Sequence, residues 1–383
     1  MQKKILLSAS IFHGLNDAAT VTVPMIFPLL YSQNNIITTY AHIGILSNLG
    51  LLVTMIFQLI IANYAHRHEY KYMLLLSLVG ISLSLVLITQ AWSFGTLLLF
   101  YLVMRVFTSF YHSVGVATVS ISHPDKALDF AMGVQSGSGN LGVFFAFLGS
   151  GFLAQIFGWK TPLTILSCIL AVLGVLSFFF ARKTSTKSQS VQPLESLSWK
   201  QALKETSVYF PGFFFGGACW GTTVFYAPSL FHHKYSVSLG QTGLYLALWI
   251  AIGAVMPYLY GYLSQRVGRR KIILFGFSGS TLFLCVLGVS PIIELAVVSL
   301  ILFGAFLFMI YPALQSAVGN RVSAGIQTQA FSIVANVQMF AGAIVSLIAG
   351  FLSDAYGINT PFLFAALLGF FTILFFMIRR KSV

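Results

Sequence analysis

One aspartate, Asp17, stands mid-way along the otherwise apolar stretch 5–30, and one arginine, Arg105, stands inside another, 95–119. About 20 apolar residues suffice to cross a bilayer. An acid at the bilayer centre costs at least ~2.5–3.5 kcal/mol, so such a residue is expected to face an internal cavity or a partner and to do work there. His13 precedes Asp17 by four residues and shares its helical face, with Asn16 beside them. Arg105 and His112 are seven apart and share a stripe of their own span. At a rise of ~1.5 Å per residue, His13 lies ~6 Å from the depth of Asp17. The second stretch runs the opposite way, so a two-rung ladder is expected: Asp17 with Arg105, and His13 with His112. The chemistry open to such a ladder is proton exchange. Desolvation favours a neutral carboxyl and a nearby guanidinium favours an ionised one, so a proton, a solute and Arg105 compete for Asp17. His112 and His13 are candidate relays. A structural alternative stays open, in which Asp17–Arg105 only joins two helices and His13 only makes a packing hydrogen bond.

Positioning these residues takes membrane-crossing helices. Of 383 residues, 57% are hydrophobic and 8% are charged, against about 25% charged in an ordinary soluble domain. The chain therefore reads as a polytopic membrane protein. Apolar runs and polar breaks give twelve spans, near 5–30, 39–62, 72–91, 95–119, 130–156, 161–181, 207–231, 240–263, 271–289, 294–317, 328–353 and 360–378. A net charge of +13 invites a nucleic-acid partner, but its placement excludes one. With both termini cytoplasmic, all Lys and Arg fall inside except Lys160 and Lys234 in outer loops and Arg105 within a span. That bias is the positive-inside rule; a polybasic lipid contact is a minor further use. Lys3 and Lys4 ahead of an apolar run imitate a signal peptide, yet the run is too long and too many spans follow, so it reads as a retained helix. Cys168, Cys219 and Cys285 all lie in apolar spans and offer no disulfide framework.

The longest internal polar break, 182–206, contains Pro193 and reads as a cytoplasmic linker, with a short surface helix over 198–205. It separates an amino-terminal six-helix bundle, 1–181, from a carboxy-terminal one, 207–383. A repeat supports the division. Gly151-Phe-Leu-Ala-Gln-Ile-Phe-Gly158 with Thr161-Pro162 recurs as Gly350-Phe-Leu-Ser-Asp-Ala-Tyr-Gly357 with Thr360-Pro361, an offset of 199. The same offset carries the loop 62–71 onto 261–270. Internal repeats mark many secondary transporter folds.

These loops resemble the Gly-x-x-x-Asp-Arg-x-Gly-Arg-Arg signature of the major facilitator superfamily. Gly261-Tyr-Leu-Ser-Gln-Arg-Val-Gly-Arg-Arg270 departs from it at Gln265, and the first loop keeps Arg67 and Lys71 but carries His66 and Glu69 at family positions. The resemblance implies inner-gate roles for Arg67, Lys71, Arg266 and Arg270, without the family's acidic latch. It also implies that the first and fourth helices line a central cavity, and Arg105 matches the arginine of the family's fourth-helix motif. A closer resemblance is to the fosmidomycin-resistance-like branch, which exports small compounds against a proton gradient. It rests on His13-Gly-Leu-Asn16-Asp17, on Tyr111-His112 and on Gln135-Ser-Gly-Ser-Gly-Asn140-Leu-Gly142. The branch's Pro and acidic residue after the histidine are replaced by Ser113 and Val114.

Candidate solute-binding residues are Arg105, Asn16, Gln135 and Asn140 in the first half and Trp220, Tyr226, Tyr311, Gln315 and Asn336 in the second. The aromatics suit the body of an amphipathic ligand and the amides its orientation. With 15% aromatic residues, many such rings are lipid-facing, and Gln329, Asn336 and Gln338 equally suit interhelical hydrogen bonding. Gly133, Gly137, Gly139, Gly142, Gly149 and Gly151 crowd the fifth span, for close packing or for flexing. The loop histidines His66, His68, His232 and His233 match no metal-binding spacing. No phosphate loop or nucleophile elbow is present.

The sequence therefore reads as an all-α membrane protein, a proton-coupled secondary transporter of a small organic solute, with efflux by antiport preferred. The alternative is a proton-coupled uptake symporter for a small organic anion. A second class is a non-transporting membrane sensor or assembly factor on the same scaffold. No enzyme activity, cofactor or metal is expected. The expected partners are solute, protons and the lipid bilayer, with the chain a monomer. Short termini and the lack of glycosylation sequons fit a bacterial inner membrane.

Overall fold

The computed structural model describes residues 3–32, 36–65, 68–122, 126–181, 196–322 and 327–379. They form fifteen α-helices: α1 (Lys3–Met25), α2 (Phe27–Ser32), α3 (Tyr40–Ala65), α4 (Tyr70–Thr89), α5 (Phe94–Phe110), α6 (Val116–Ser122), α7 (Lys126–Phe157), α8 (Lys160–Ala181), α9 (Ser196–Thr206), α10 (Phe210–Ser229), α11 (Leu239–Val267), α12 (Arg269–Val289), α13 (Ile293–Arg321), α14 (Gln327–Tyr356) and α15 (Thr360–Ile378). A π-helical turn, Tyr111–Gly115, joins α5 to α6, and a second, Leu230–Lys234, extends α10. Pairing α1 with α2 and α5 with α6 gives the twelve spans, and the linker helix α9 lies slightly beyond its expected bounds. The rest of the linker, 182–195, lies outside the described residues.

Among the described residues, nine helices are long and apolar enough to cross a membrane by themselves. The three spans that fall short are the first, fourth and seventh, where polar residues, a π turn and a Gly- and Thr-rich helix interrupt the apolar pattern. Large apolar side chains such as Phe145 (64% exposed) and Leu83 (61%) face outward from the other helices, a surface suited to acyl chains. The protein is a multi-pass membrane protein.

Helix ends explain the repeat. Gly158 and Gly357, 199 apart, both take positive φ (85° and 96°), a conformation that costs other residues a Cβ clash. Each returns its N–H to the carbonyl four residues back, Ala154 (3.0 Å) and Ser353 (2.9 Å), closing α7 and α14. The following Pro162 and Pro361 sit in the opening turns of α8 and α15, where no N–H is missed.

The residues group into two compact units. The first holds Met1–Thr38, Leu49–Gln192 and Val237–Ala247; the second holds Thr39–Asn48, Pro193–Ser236 and Leu248–Val383. In this grouping the first turns of α3 fall in the second unit and those of α11 in the first.

In the first unit α1 packs on α7 and α8, and α4 packs on α5 and α8. Lipid offers no hydrophobic drive between helices, so small residues and polar cross-links hold them. A Cβ on Gly142 would collide with the Gly14 carbonyl of α1. Ser82 and Ser167 exchange hydroxyl-to-carbonyl bonds of 2.9 Å between α4 and α8. Of the six fifth-span glycines, Gly133, Gly137 and Gly149 face open space, so close packing accounts for Gly139, Gly142 and Gly151 alone. Replacing Gly142 by valine is expected to destabilise the fold by about 1–3 kcal/mol through overpacking, read as a lower unfolding temperature in detergent; Gly133→Ala in the same assay should change little.

In the second unit α12 packs on α13 and α15, and α10 packs on α14, where Gly217 abuts the Gln338 carbonyl. The Asp354 carboxylate of α14 accepts the backbone N–H groups of Tyr40 (2.6 Å) and Ala41 (2.8 Å) at the start of α3. In the first unit, Gln155 Oε1 of α7 likewise accepts the N–H of Gly240 at the start of α11 (2.9 Å). Both satisfy donors that a helix start leaves without an internal acceptor.

Candidate functional site

The first unit places a polar cluster on α1, the π turn and α7. Asp17 sits at its centre, with its side chain 21% exposed. His13 Nε2 lies 3.1 Å from Asp17 Oδ2, and His112 Nε2 lies 3.7 Å from Asp17 Oδ1. Asn16 Nδ2 donates to Asp17 Oδ1 at 3.1 Å. The two imidazoles meet edge to face, 5.6 Å between centroids. His13 and His112 are therefore neighbours, as the ladder required.

The other rung is absent. Among the described residues no ion pair joins Arg105 to Asp17; its Nε donates instead to the Gly50 carbonyl of α3 at 3.2 Å. The reason lies in the π turn. A seven-residue stripe assumes an unbroken 3.6-residue period, and a π turn inserts one extra residue between Arg105 and the helix beyond. Arg105 stays in the α5 phase and packs toward α3, while His112, inside the wide turn, reaches Asp17. Arg105 is 4% exposed and has no carboxylate partner among the described residues.

Two further residues hold the cluster. Tyr111 stacks on the His13 ring at 4.4 Å and 14°, and its hydroxyl donates to Gln135 Oε1 at 2.9 Å. The Gln135 carbonyl takes the His13 Nδ1–H at 2.7 Å. A carbonyl only accepts, so His13 carries its proton on Nδ1 and turns Nε2 toward Asp17. Gln135, expected to touch solute, holds His13 through its backbone carbonyl and Tyr111 through its side chain. Tyr111 was legible in the aromatic–histidine pair but its stacking role was not. Gly139 lies against the cluster: a Cβ there would fall 2.8 Å from His13 Nε2 and 2.9 Å from Asp17 Oδ2. Asn140 is exposed.

In the second unit the expected residues divide. Trp220 packs on Trp249 with centroids 5.5 Å apart; Trp249 is fully buried and its Nε1–H has no hydrogen-bond partner. Tyr226 is fully buried and donates to the Ser346 carbonyl at 2.6 Å, and the Tyr311 hydroxyl accepts the Gln338 amide at 2.9 Å. Both tyrosines tie α14 to its neighbours; Tyr226 spends its O–H on Ser346, whereas Tyr311 accepts from Gln338. Gln315 is exposed and Asn336 half-buried. Of the inner-gate residues, Arg67 lies outside the described residues, Lys71 Nζ is 3.9 Å from Glu69, and Arg266 lies over the Tyr262 ring at 4.3 Å. Arg270 is half-buried, and its Nε has no hydrogen-bond partner.

The pattern of the Major Facilitator Superfamily matches residues 6–260 and 231–383. The chain belongs to the Major Facilitator Superfamily. It is a transporter rather than an enzyme. It is similar to the nitrite extrusion protein of Bacillus subtilis (strain 168), 25% identical over 186 residues, covering 48% of this chain and 46% of that protein. It is also similar to the probable nitrate/nitrite antiporter NarK1 of Thermus thermophilus, 29% identical over 212 residues, covering 50% and 45%. The chain thus spans about half the length of these relatives. An uncharacterized transporter of B. subtilis, YfnC, aligns over 98% of this chain and 92% of its own length at 23% identity. Among solved structures, a bacterial homologue of the lysosomal transporter Spinster superposes with a TM-score of 0.84 at 14% identity, covering 99% of this chain and 96% of that one. The nucleoside transporter NupG gives 0.80 at 14% identity, covering 99% and 100%. These structures establish the fold alone.

Proposed function

We propose that this superfamily member is a proton-coupled secondary transporter of a small anion. The observation that carries the reading is Asp17 flanked by two histidines within one polar cluster of the first span. Asp17 and the facing Nε2 atoms share protons: one proton between a carboxylate and two imidazoles sets the charge of the cluster, and its loss leaves a buried anion. Arg105 binds the solute. A buried guanidinium without a carboxylate partner is a standing demand for an anion, and its planar fork matches small oxyanions and carboxylates. The nitrite- and nitrate-handling names of two relatives support an anion and, with the resemblance to the fosmidomycin-resistance-like branch, support export by antiport over uptake. Alternating access, the general mode of secondary transporters built from repeats, fits this scheme.

The test is flux in proteoliposomes, with nitrate, nitrite and a panel of small carboxylates, with and without an imposed pH gradient. Accumulation of at least one anion only when the gradient is imposed is the expected result. Equal flux with and without the gradient removes proton coupling, and transport confined to neutral or cationic solutes removes the anion.

A further inference from the structure

We propose that His13, Asp17 and His112 form a three-ligand site for a divalent transition-metal cation of the zinc, cobalt and nickel class. Their ligand atoms, two imidazole nitrogens and a carboxylate oxygen, all lie within 4.8 Å of one another. Bonds of ~2.0–2.2 Å to a tetrahedral ion hold neighbouring donors roughly 3.3–3.5 Å apart. His13 Nε2 stands 3.1 Å from Asp17 Oδ2 and His112 Nε2 3.7 Å from Asp17 Oδ1, so the two imidazoles face the two oxygens of one carboxylate at distances close to that value. The remaining edge closes as His112, whose side chain is 41% exposed, turns inward.

Three further observations point to an ion. The Gln135 carbonyl fixes Nδ1–H of His13, the arrangement by which metal-binding histidines are oriented. Nε2 then faces a carboxylate oxygen at 3.1 Å, an edge that a proton occupies in the coupling scheme and that a metal ion occupies in its place. Gly139 keeps clear the edge that a Cβ would fill. The exposed flank of His112 leaves a fourth position for water. Nitrogen donors favour borderline transition cations over magnesium or calcium. Once bound, the cation joins α1 to the π turn and occupies the lone pairs and carboxylate that proton transfer needs, so it blocks transport. Binding stands on this geometry alone; only the block rests on the coupling reading.

The full chain, purified in detergent and freed of metal by a chelator, is titrated with cobalt chloride while its visible d–d absorption is followed. One equivalent with an intense four-coordinate spectrum is expected. His112→Ala and Asp17→Asn should each weaken binding at least about tenfold. His112→Cys should restore binding and add a thiolate-to-cobalt charge-transfer band, which a misfolded protein cannot supply. The double variant His232→Ala/His233→Ala should titrate like the wild type. No four-coordinate spectrum, a spectrum that survives His112→Ala, or one lost with the loop pair would overturn the site. Zinc should displace the cobalt and halt solute flux; flux that continues with zinc bound overturns the block and leaves the site standing.

Discussion

Asp17→Asn is expected to abolish accumulation driven by a pH gradient while solute exchange across the same vesicles continues. Asparagine keeps the size of the side chain and presents an amide N–H to His13 Nε2, now 3.1 Å from a carboxylate oxygen. The bond to the Asn16 amide, 3.1 Å in the wild type, also has an acceptor left. Packing against Gly139 should therefore hold, and unfolding in detergent should stay close to wild type. What asparagine cannot do is take or release a proton. Removing a positioned proton-transfer group commonly costs 10²–10⁴ in rate, so gradient-driven accumulation should fall by about 100-fold or more. A variant that still concentrates solute takes Asp17 out of the coupling scheme.

The second large effect is expected at Arg105. Its Nε is held by the Gly50 carbonyl at 3.2 Å and the residue is 4% exposed, so little solvent screens whatever the guanidinium meets. Arg105→Gln removes the charge, and hydrogen bonds to charged groups contribute about 1.5–3 kcal/mol each. Anion affinity should therefore drop about 10- to 100-fold. Arg105→Lys keeps the charge but loses both the Gly50 contact and the fork, and should lie between. Equilibrium binding of the transported anion to purified protein measures this without any gradient. Wild-type affinity in the lysine variant would point to a solute that is not anionic.

The two effects are distinguished because Arg105 is bonded to Gly50 and not to Asp17 among the described residues, and sequence could not show this. Period and hydropathy carried the twelve spans, the linker helix and the paired helix ends at Gly158 and Gly357, because those depend on local propensity and backbone freedom. The His13–His112 meeting followed from helix spacing too. The Asp17–Arg105 pairing failed because Tyr-His-Ser-Val-Gly does not announce a π turn, and one inserted residue breaks a stripe extrapolated across it. The helix-to-helix bonds of Tyr226 and Tyr311 were illegible for another reason: a hydroxyl that meets a solute and one that meets Ser346 or Gln338 look alike in composition. The three-residue cluster escaped a hunt for local metal spacings because its members come from two distant segments. In the second half, Trp249 stood among the aromatics the sequence offered, and its burial with an indole N–H that has no partner among the described residues sets it apart from them.

The fastenings at the starts of α3 and α11 are unequal by one charge. Asp354 and Gln155 stand 199 residues apart in the repeat, as do Ala41 and Gly240, so equivalent contacts are ionic in one copy and neutral in the other. Asp354 and Gln155 are both exposed, so salt screens the charge-assisted contacts of Asp354 to two amides, whereas Gln155 makes one neutral contact to Gly240. The fastening on α3 is therefore the more salt-sensitive of the two, despite the duplicated design.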